Sequence, residues 1–377
     1  MSDLRLLFVT AATFAMSSIV AAYEGATVAT GEPSTQADGS PERPAGEQLK
    51  SRRKSQPAKP RARTMEPSAD RSYRGPLPPL SETEVELAGE LRQYVDKLAG
   101  QIGERNLVRY KKLIEAADWL EATLTGFGYQ VRRQTYDVQG RPCHNLEVEL
   151  QGSGDQAGEI VIVGAHYDTV AGSPGANDNG SGVASLLSMA RRYAGRRTAR
   201  TLRLVLFANE EPPYFQTGTM GSRVYARNSR RLDENIVAVI SLETMGYYSD
   251  AGNSQKYPPL LRFAYPSTGN FIGFVGNVES RPLVDQVVSS FRRRARFPSE
   301  KAALPSGIPG VGWSDHWSFW QEGYPGLMVT DTAPFRYPHY HTAQDTPDKV
   351  DYDRVARVVA PLTEVISELA GMAEKDE

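Results

Sequence analysis

The sequence has almost no cysteine and few histidines. Cys143 is the only cysteine among 377 residues, so the chain can form neither an internal disulfide nor a zinc site held by several thiolates. Any metal site must be built from carboxylates and from some of the 5 histidines. The sequence also lacks an excess of either charge, because its formal net charge is -2. This balance gives no overall indication of nucleic-acid binding.

Large apolar side chains are scarce in the first fifth of the chain, except at its very start. Apart from Arg5, residues 4–22 are apolar or small and end in Val20-Ala21-Ala22, a pattern typical of a signal peptide, which we assign to residues 1–22. The run is nearly long enough for an uncleaved membrane anchor, and an ordinary disordered leader is a third interpretation. A signal peptide or anchor predicts an extracytoplasmic protein that is secreted, periplasmic or membrane-anchored.

Residues 23–80 are rich in Pro, Ser, Gly, Ala, Arg and Lys. Such a segment cannot bury enough apolar surface to offset the entropy of ordering, so we expect a disordered linker. Its basic cluster between Lys50 and Arg63 could contact anionic lipid or an envelope polymer and act as a tether, although a solvated linker is the simpler account. Ser81 and Glu84 form a capping-box pattern ahead of helical periodicity, which predicts one folded domain over residues 81–377.

A buried strand followed by possible metal ligands is the clearest local pattern. Residues 159–166, EIVIVGAH, are mostly apolar and β-branched, which favours a strand buried on both faces of a largely parallel sheet. His166 ends this run, and Asp168 lies two residues later on the same side of an extended chain, so one can bind a metal while the other orients it. Asp178 follows in the motif N-D-N-G-S-G, just before a helical pattern, where it is equally consistent with a helix N-cap.

Two further apolar runs also stop on carboxylates. TLRLVLFANEE ends on Glu210 and Glu211, whose side chains should point in different directions, one toward a metal and the other toward a substrate water. NIVAVISLE ends on Glu243. Surface carboxylate pairs are common, but chance does not favour three successive strand–loop units that each close on an acidic residue. Residues 247–270, rich in Tyr, Pro, Gly and Ser, predict a long loop over this site.

Three of the five histidines lie in the last fifth of the chain. His316 belongs to an S-D-H motif, where Asp315 and His316 could support the site or contact substrate, and the nearby tryptophans favour core packing. His339 and His341 flank Tyr340 in YPHYHTAQDT. In an extended segment the two imidazoles would project to one side about 7 Å apart, too far to bind one ion together. Only one of the two can therefore be the ligand.

The order of these motifs resembles that of the co-catalytic zinc exopeptidase family. H-x-D, N-D-N-G-S-G, N-E-E, L-E at a strand end, S-D-H and Y-H-T-x-x-D-T follow one another over roughly residues 85–375. That family includes secreted bacterial aminopeptidases, glutamate carboxypeptidases and glutaminyl cyclases. The resemblance implies a single α/β domain in which a mixed, largely parallel β-sheet is flanked by helices on both faces.

The resemblance also implies two zinc ions per chain. One zinc would be held by His166, Asp178 and Glu243, and the other by Asp178, Glu211 and His341, with Asp178 as the bridge. His341 matches the motif and His339 does not, so His339 is expected at the mouth of the cleft. The remaining roles would be general base for Glu210, orientation of His166 for Asp168, and donation to the developing oxyanion for Tyr340. Many members carry aspartate at the position of Glu243, whose longer side chain would shift or weaken that metal.

Aminopeptidase activity on peptide or aminoacyl substrates is the function that these residues favour, with carboxypeptidase and dipeptidase activity left open. A glutaminyl cyclase, which uses one zinc for intramolecular aminolysis, is the alternative. The intact N-D-N-G-S-G motif and Tyr340, where cyclases typically carry tryptophan, argue against it. A non-catalytic binding relative is a further alternative, but all five ligand positions retain residues that can bind metal. The oligomeric state has no signature in the sequence.

Overall fold

An eight-stranded mixed β-sheet in the order β1-β2-β4-β3-β5-β8-β6-β7 forms the centre of the fold. The computed structural model describes residues 68–259 and 261–372. Strands β3, β4, β5 and β8 are parallel, an antiparallel β1–β2 hairpin extends one edge, and β6 and β7 run antiparallel to β8. The strands are β1 Arg132–Val138, β2 Arg141–Leu150, β3 Glu159–His166, β4 Thr201–Phe207, β5 Asn235–Glu243, β6 Ile272–Gly276, β7 Ser299–Ala303 and β8 Gly326–Thr330.

The apolar run that predicted β3 is buried on both faces, as expected. Val161 and Val163 belong to the main hydrophobic core, which includes residues of five helices. Ile160 and Ile162 point the other way and pack in a second core with residues of the two remaining helices. The helices are α1 Glu82–Val95, α2 Tyr110–Gly126, α3 Gly182–Tyr193, α4 Gly221–Arg231, α5 Arg281–Arg294, α6 His316–Trp320 and α7 Tyr352–Ala370. The predicted fold class, a largely parallel sheet flanked on both faces, is confirmed.

The capping box predicted for α1 is present: the Glu84 amide donates to the Ser81 hydroxyl, and the Ser81 amide donates to the Glu84 carboxylate. Helix α2 begins at Tyr110. Shortly before it, the side chain of Asn106 accepts a hydrogen bond from the Arg109 amide and donates one to the carbonyl of Thr169. Asn106 thus ties the start of α2 to the loop after β3.

The start of the folded region differs from the boundary predicted at residue 81. Tyr73 is buried, and the Ser299 amide of β7 donates to the Ser72 hydroxyl, so residues 68–80 already pack against the domain. All described residues belong to one compact unit, and none of its helices has the length and apolar character to cross a membrane. The predicted leader (residues 1–22) and most of the predicted linker lie outside the described residues.

Candidate metal centre

The parallel strands bring their acidic and histidine ends to one edge of the sheet. His166 is the last residue of β3, Glu243 is the last residue of β5, and Glu210 and Glu211 follow β4 by three and four residues. Asp178 comes from the turn Ala176–Ser181 that leads into α3. Because β3 pairs with both β4 and β5, these carboxyl ends are neighbours, which is where open α/β sheets place their binding sites.

Two groups of side chains share one carboxylate. In the first, His166 Nε2 lies 3.4 Å from Asp178 Oδ1 and 3.2 Å from Glu243 Oε2. In the second, His341 Nε2 lies 3.1 Å from Asp178 Oδ2 and 3.1 Å from Glu211 Oε2. The two oxygens of Asp178 thus face different histidines. The structure brings together all five side chains that the sequence assigned as metal ligands.

The candidate ligand atoms of these groups are arranged to bind a metal rather than to form hydrogen bonds with one another. In each group the three candidate ligand atoms lie within 4.8 Å of one another. Both ring nitrogens of His166 and one oxygen of Glu211 are buried without a hydrogen-bond partner, which is costly for polar atoms in a protein interior. Histidine nitrogen and carboxylate oxygen are the ligands that zinc takes in the absence of thiolates. The residues present therefore fit a pair of divalent ions.

Uncompensated negative charge dominates the electrostatics of this cluster. Burial alone would lower the pKa of His166, yet the carboxylates of Glu243 and Glu210 raise it well above its usual range. His341 behaves in the same way, since Glu211 and Asp178 outweigh its burial. Burial raises the pKa of Glu211 to about 7, and the Asp178 carboxylate adds to this effect. Bound cations would relieve this repulsion.

Asp168 supports two parts of the site. Its Oδ1 lies 3.5 Å from His166 Nδ1, on the ring side opposite the candidate ligand atom, as expected for an orienting carboxylate. The same carboxylate accepts hydrogen bonds from the backbone amides of Glu210, at 3.0 Å, and Glu211, at 3.1 Å. Asp168 thereby ties the loop after β4 to the histidine at the end of β3. The sequence predicted only the first of these contacts.

Glu210 and Tyr340 lie beside the two ligand groups without belonging to either. Glu210 Oε2 is 3.8 Å from His166 Nε2, and burial raises the pKa of Glu210 well above its usual range. The ring of Tyr340 stacks on that of His341, with centroids 3.8 Å apart and an angle of 18° between the planes. Tyr340 and Glu243 line the same cavity. Both predicted catalytic side chains are thus within the site.

The segment that carries His341 is a turn, so the predicted extended conformation is wrong. The amides of Tyr340 and Thr342 donate to the carbonyls of Tyr337 and His339, and His341 has a φ of 59°. This turn directs the His341 ring to Asp178 and Glu211. His339 instead packs edge-to-face on Tyr337, with ring centroids 5.5 Å apart, and belongs to neither ligand group.

Asp345, the aspartate of the Y-H-T-x-x-D-T motif, supports the loop that carries Asp178. In the structure it accepts hydrogen bonds from the amides of Asn177 and Asp178, at 2.8 and 3.0 Å, and from the Tyr337 hydroxyl at 2.8 Å. Asp345 therefore fixes the backbone of the shared carboxylate, across 167 residues of sequence.

Two supporting residues were missed by the sequence analysis. Arg105 is fully buried and donates to the carbonyls of Tyr167, Pro174 and Gly175, which shape the loop that leads to Asp178. No periodicity marks it. Ser314 donates a 2.7 Å hydrogen bond to Glu243 Oε2. Its place in the S-D-H motif is the signal that could have identified it.

The other residues of the S-D-H region divide between core and cavity. His316 is buried, and its Nε2 donates to the carbonyl of Val311. Burial lowers its pKa to about 4, which marks it as a neutral structural histidine. Asp315 is also buried, and burial raises its pKa to about 7. Trp313 stacks with Phe335 in the cavity wall, so the predicted role in the core does not apply to this tryptophan.

Comparison with known proteins identifies the family that this arrangement belongs to. A model of peptidase family M28 matches residues 145–366, which is more than half of the chain. The chain belongs to peptidase family M28. The matched residues include all five candidate ligands. Family membership, together with the two groups of candidate ligands, makes the protein a metal-dependent peptidase that acts on peptides.

Individual relatives agree with this assignment. The uncharacterized protein YfbL of Escherichia coli (strain K12) is 34% identical over 279 residues, which cover 72% of this chain and 84% of YfbL. Leucine aminopeptidase 1 of Arthroderma otae is 25% identical over 244 residues, or 60% of this chain. The chain spans 58% of the length of that aminopeptidase.

Solved structures share the fold. The crystal structure of the LapA aminopeptidase of Legionella pneumophila superposes with a TM-score of 0.59 at 18% identity, over 81% of this chain and 75% of LapA. A glutaminyl cyclase of Porphyromonas gingivalis gives a TM-score of 0.55 at 19% identity, over 75% of this chain and 98% of the cyclase. Likeness of fold alone therefore does not separate the two activities.

Proposed function

We propose that this M28 peptidase is a zinc aminopeptidase that removes N-terminal residues from peptides with two zinc ions, which the two ligand groups that share Asp178 would hold. One observation carries the proposal: the two oxygens of Asp178 face the two histidines, at 3.4 and 3.1 Å, and each histidine is paired with a further glutamate. A single-zinc cyclase would have no use for the second group. The similarity to a leucine aminopeptidase supports the choice of aminopeptidase.

His166 and Glu243 would hold one zinc, and Glu211 and His341 the other, with Asp178 between them. The bound metal supplies Lewis acidity, which polarises the scissile carbonyl and lowers the pKa of the attacking water. The longer arm of Glu243 fits the site because the Ser314 hydroxyl holds its Oε2 in place. This contact offers a physical reason why glutamate can serve where many relatives carry aspartate.

Proton transfer is assigned to Glu210. It lies next to the ligands yet outside both groups, and the Asp168 carboxylate fixes its backbone. Burial raises the pKa of Glu210, which makes its carboxylate a stronger base toward the proton of the attacking water. The protonated Glu210 would then deliver that proton to the leaving amine, which returns the carboxylate to its initial state.

The developing negative charge on the substrate carbonyl needs a donor, and Tyr340 is assigned to this role. Burial raises the pKa of Tyr340, so its hydroxyl keeps its proton. Stacking on His341 orients the ring beside the ligand group that contains Glu211. A neutral hydroxyl held in advance at this position can donate to an oxyanion without rearrangement.

The test combines metal analysis with substrate blocking. Purified protein should bind two equivalents of zinc and should hydrolyse aminoacyl anilides, with no activity on the same anilides carrying an N-acetyl group. One zinc equivalent with cyclisation of N-terminal glutamine would replace the proposal by a cyclase. Absence of bound zinc and of both activities would identify a non-catalytic relative.

We also propose an extracytoplasmic location, on the basis of the apolar leader (residues 1–22) and the linker that follows it. Full-length protein expressed in a bacterial host should appear outside the cytoplasm, and N-terminal sequencing of the mature chain should place its start near residue 23. An intact N-terminus in the cytoplasmic fraction would contradict this proposal.

A further inference from the structure

We infer that the cavity beside the metal centre selects substrates whose N-terminal residue is arginine or lysine. This inference rests on the proposed aminopeptidase function and adds the chemical class of side chain that the enzyme accepts. Its basis is a carboxylate, Glu300, that lines a mainly apolar cavity at a position three strands away from the candidate ligand Glu243.

The cavity begins at the metal centre. It is lined at one end by Glu243 and Tyr340, a candidate ligand and the candidate oxyanion donor. Its walls are mainly apolar and aromatic, and include Phe271, Val275, Met328 and Trp313. A substrate whose carbonyl lies at the metal centre would therefore extend its first side chain into this space.

A row of residues that pair across neighbouring strands forms the floor of the cavity and connects Glu243 with Glu300. Glu243 pairs with Thr330, Thr330 with Gly273, and Gly273 with Glu300, and all four line the cavity. Directly paired residues on neighbouring strands project from the same face of a sheet. Three strand spacings separate the first residue from the last by about 14 Å. Gly273 has no side chain, so the floor stays open between the metal centre and Glu300.

The contacts of β7 show which way Glu300 points. Lys301 binds Asp285 of α5, and Ser299 binds Arg292 of the same helix, so these two side chains face α5. Alternation along the strand turns Glu300 to the opposite face. There the Tyr265 hydroxyl donates to the carbonyl of Lys301. Glu300 therefore projects into the cavity, next to the loop that covers it.

Glu300 has no cation of its own. Among residues 68–259 and 261–372, no lysine or arginine forms an ion pair with it, and the guanidinium of nearby Arg292 is engaged by Ser299 and by the carbonyl of Asp70. Burial raises the pKa of Glu300 in spite of Arg292 and Arg74. Tyr257 and Tyr265 stack above it with centroids 5.8 Å apart, and aromatic rings beside a carboxylate favour a bound cation.

Length and charge together point to arginine and lysine. A short apolar side chain would fill only the part of the cavity near Glu243 and would leave Glu300 without a partner. The long aliphatic stem of lysine or arginine matches the apolar walls, and its charged end reaches toward the carboxylate. A half-buried carboxylate that gains a charged hydrogen-bond donor discriminates against an uncharged analogue.

The experiment uses four aminoacyl-methylcoumarin substrates with zinc-loaded enzyme. Arginine is compared with citrulline, which has the same shape without the charge, and lysine with norleucine, which keeps the stem alone. The wild-type kcat/KM should be at least about 10-fold higher for each charged member of a pair. In Glu300→Gln both ratios should fall to about one, with the citrulline and norleucine rates within about twofold of wild type. Glu279→Gln, an equal charge change at an exposed residue outside the cavity, should behave as wild type.

The outcomes separate the two proposals. Wild-type ratios near one, or ratios that Glu300→Gln leaves unchanged, would overturn the selection of basic residues while the aminopeptidase function stands. Inactivity of the wild type on all four substrates would overturn the aminopeptidase function and this inference with it. A loss of the citrulline and norleucine rates in Glu300→Gln would show that Glu300 supports the fold or the catalytic centre and not charge recognition.

Discussion

Replacing Ser314 by alanine should weaken one zinc site and leave the other intact. The Ser314 hydroxyl donates to Glu243 Oε2 at 2.7 Å and lies 2.8 Å from the Ser241 hydroxyl, and both serines are buried. No hydrogen bond joins Ser314 to the other candidate ligands in the described chain. The variant therefore removes one support from the group of His166, Asp178 and Glu243 alone.

The size of the effect follows from the kind of bond that is lost. A hydrogen bond to a charged group is worth about 1.5–3 kcal/mol, which corresponds to about 10- to 160-fold in binding affinity. Loss of residues that orient metal ligands typically costs a similar factor. Glu243 has a longer and more flexible side chain than the aspartate that many members of the family carry here. Its position should therefore depend strongly on the hydrogen bond from Ser314. The second zinc site should keep its affinity within about twofold.

The assay is zinc content per chain across a series of buffered free-zinc concentrations. Wild type should fill both sites within a narrow range, whereas Ser314→Ala should show a plateau near one equivalent before the second is bound. Ser290→Ala is the matched control, because Ser290 also donates to a glutamate, Glu368 at 2.6 Å, and is remote from the site in sequence and contacts. Wild-type affinity at both sites in Ser314→Ala, or equal loss at both, would refute the reasoning.

Other variants test the remaining assignments. Glu210→Gln should keep its zinc and lower kcat by about 100-fold or more, as expected for a positioned proton carrier, so near-normal turnover would remove it from that role. His341→Ala and Asp178→Ala should lose zinc in metal analysis while His339→Ala keeps it, and the reverse pattern for the two histidines would overturn the ligand set. Burial lowers the pKa of His316 from its usual 6.5 to about 4. The unfolded chain therefore binds this proton more tightly than the folded chain does, and the free energy of unfolding should fall by roughly 3 kcal/mol as the pH drops from 6.5 to 4. Urea unfolding of metal-free His316→Gln should lack this part of the pH dependence, and an unchanged slope would contradict it.

The strand ends were predictable because two independent patterns meet there. Runs such as 159–166 are long, apolar and β-branched, so they must lie inside a sheet, and the residues that end them must emerge at its edge. Parallel pairing then brings His166 and Glu243 together whatever the details of the connecting helices. Local patterning of this kind depends only on neighbouring residues, which a single sequence displays in full.

Residues that support the fold or the site through contacts with distant parts of the chain are not marked by a comparable sequence pattern. Arg105 binds the carbonyl of Gly175, 70 residues away, and nothing in its own neighbourhood requires this. The turn at His341 depends on a residue with positive φ that is not glycine, which sequence preference does not favour. The packing of residues 68–80 was missed for the same reason, because Ser72 gains its partner only from β7, 227 residues later.

The shared carboxylate shows why these distant supports matter for function. Four of the five candidate ligands precede residue 244, yet the backbone of Asp178 is held by Asp345, and its second oxygen faces His341. A chain that ended before residue 330 would contain most of the ligands and still lack the geometry that makes Asp178 a bridge. A metal site needs its ligands fixed to within a fraction of an ångström by the residues around them. The proposed two-metal arrangement therefore requires the complete domain, and metal binding should be coupled to its final folding step rather than to formation of the central strands.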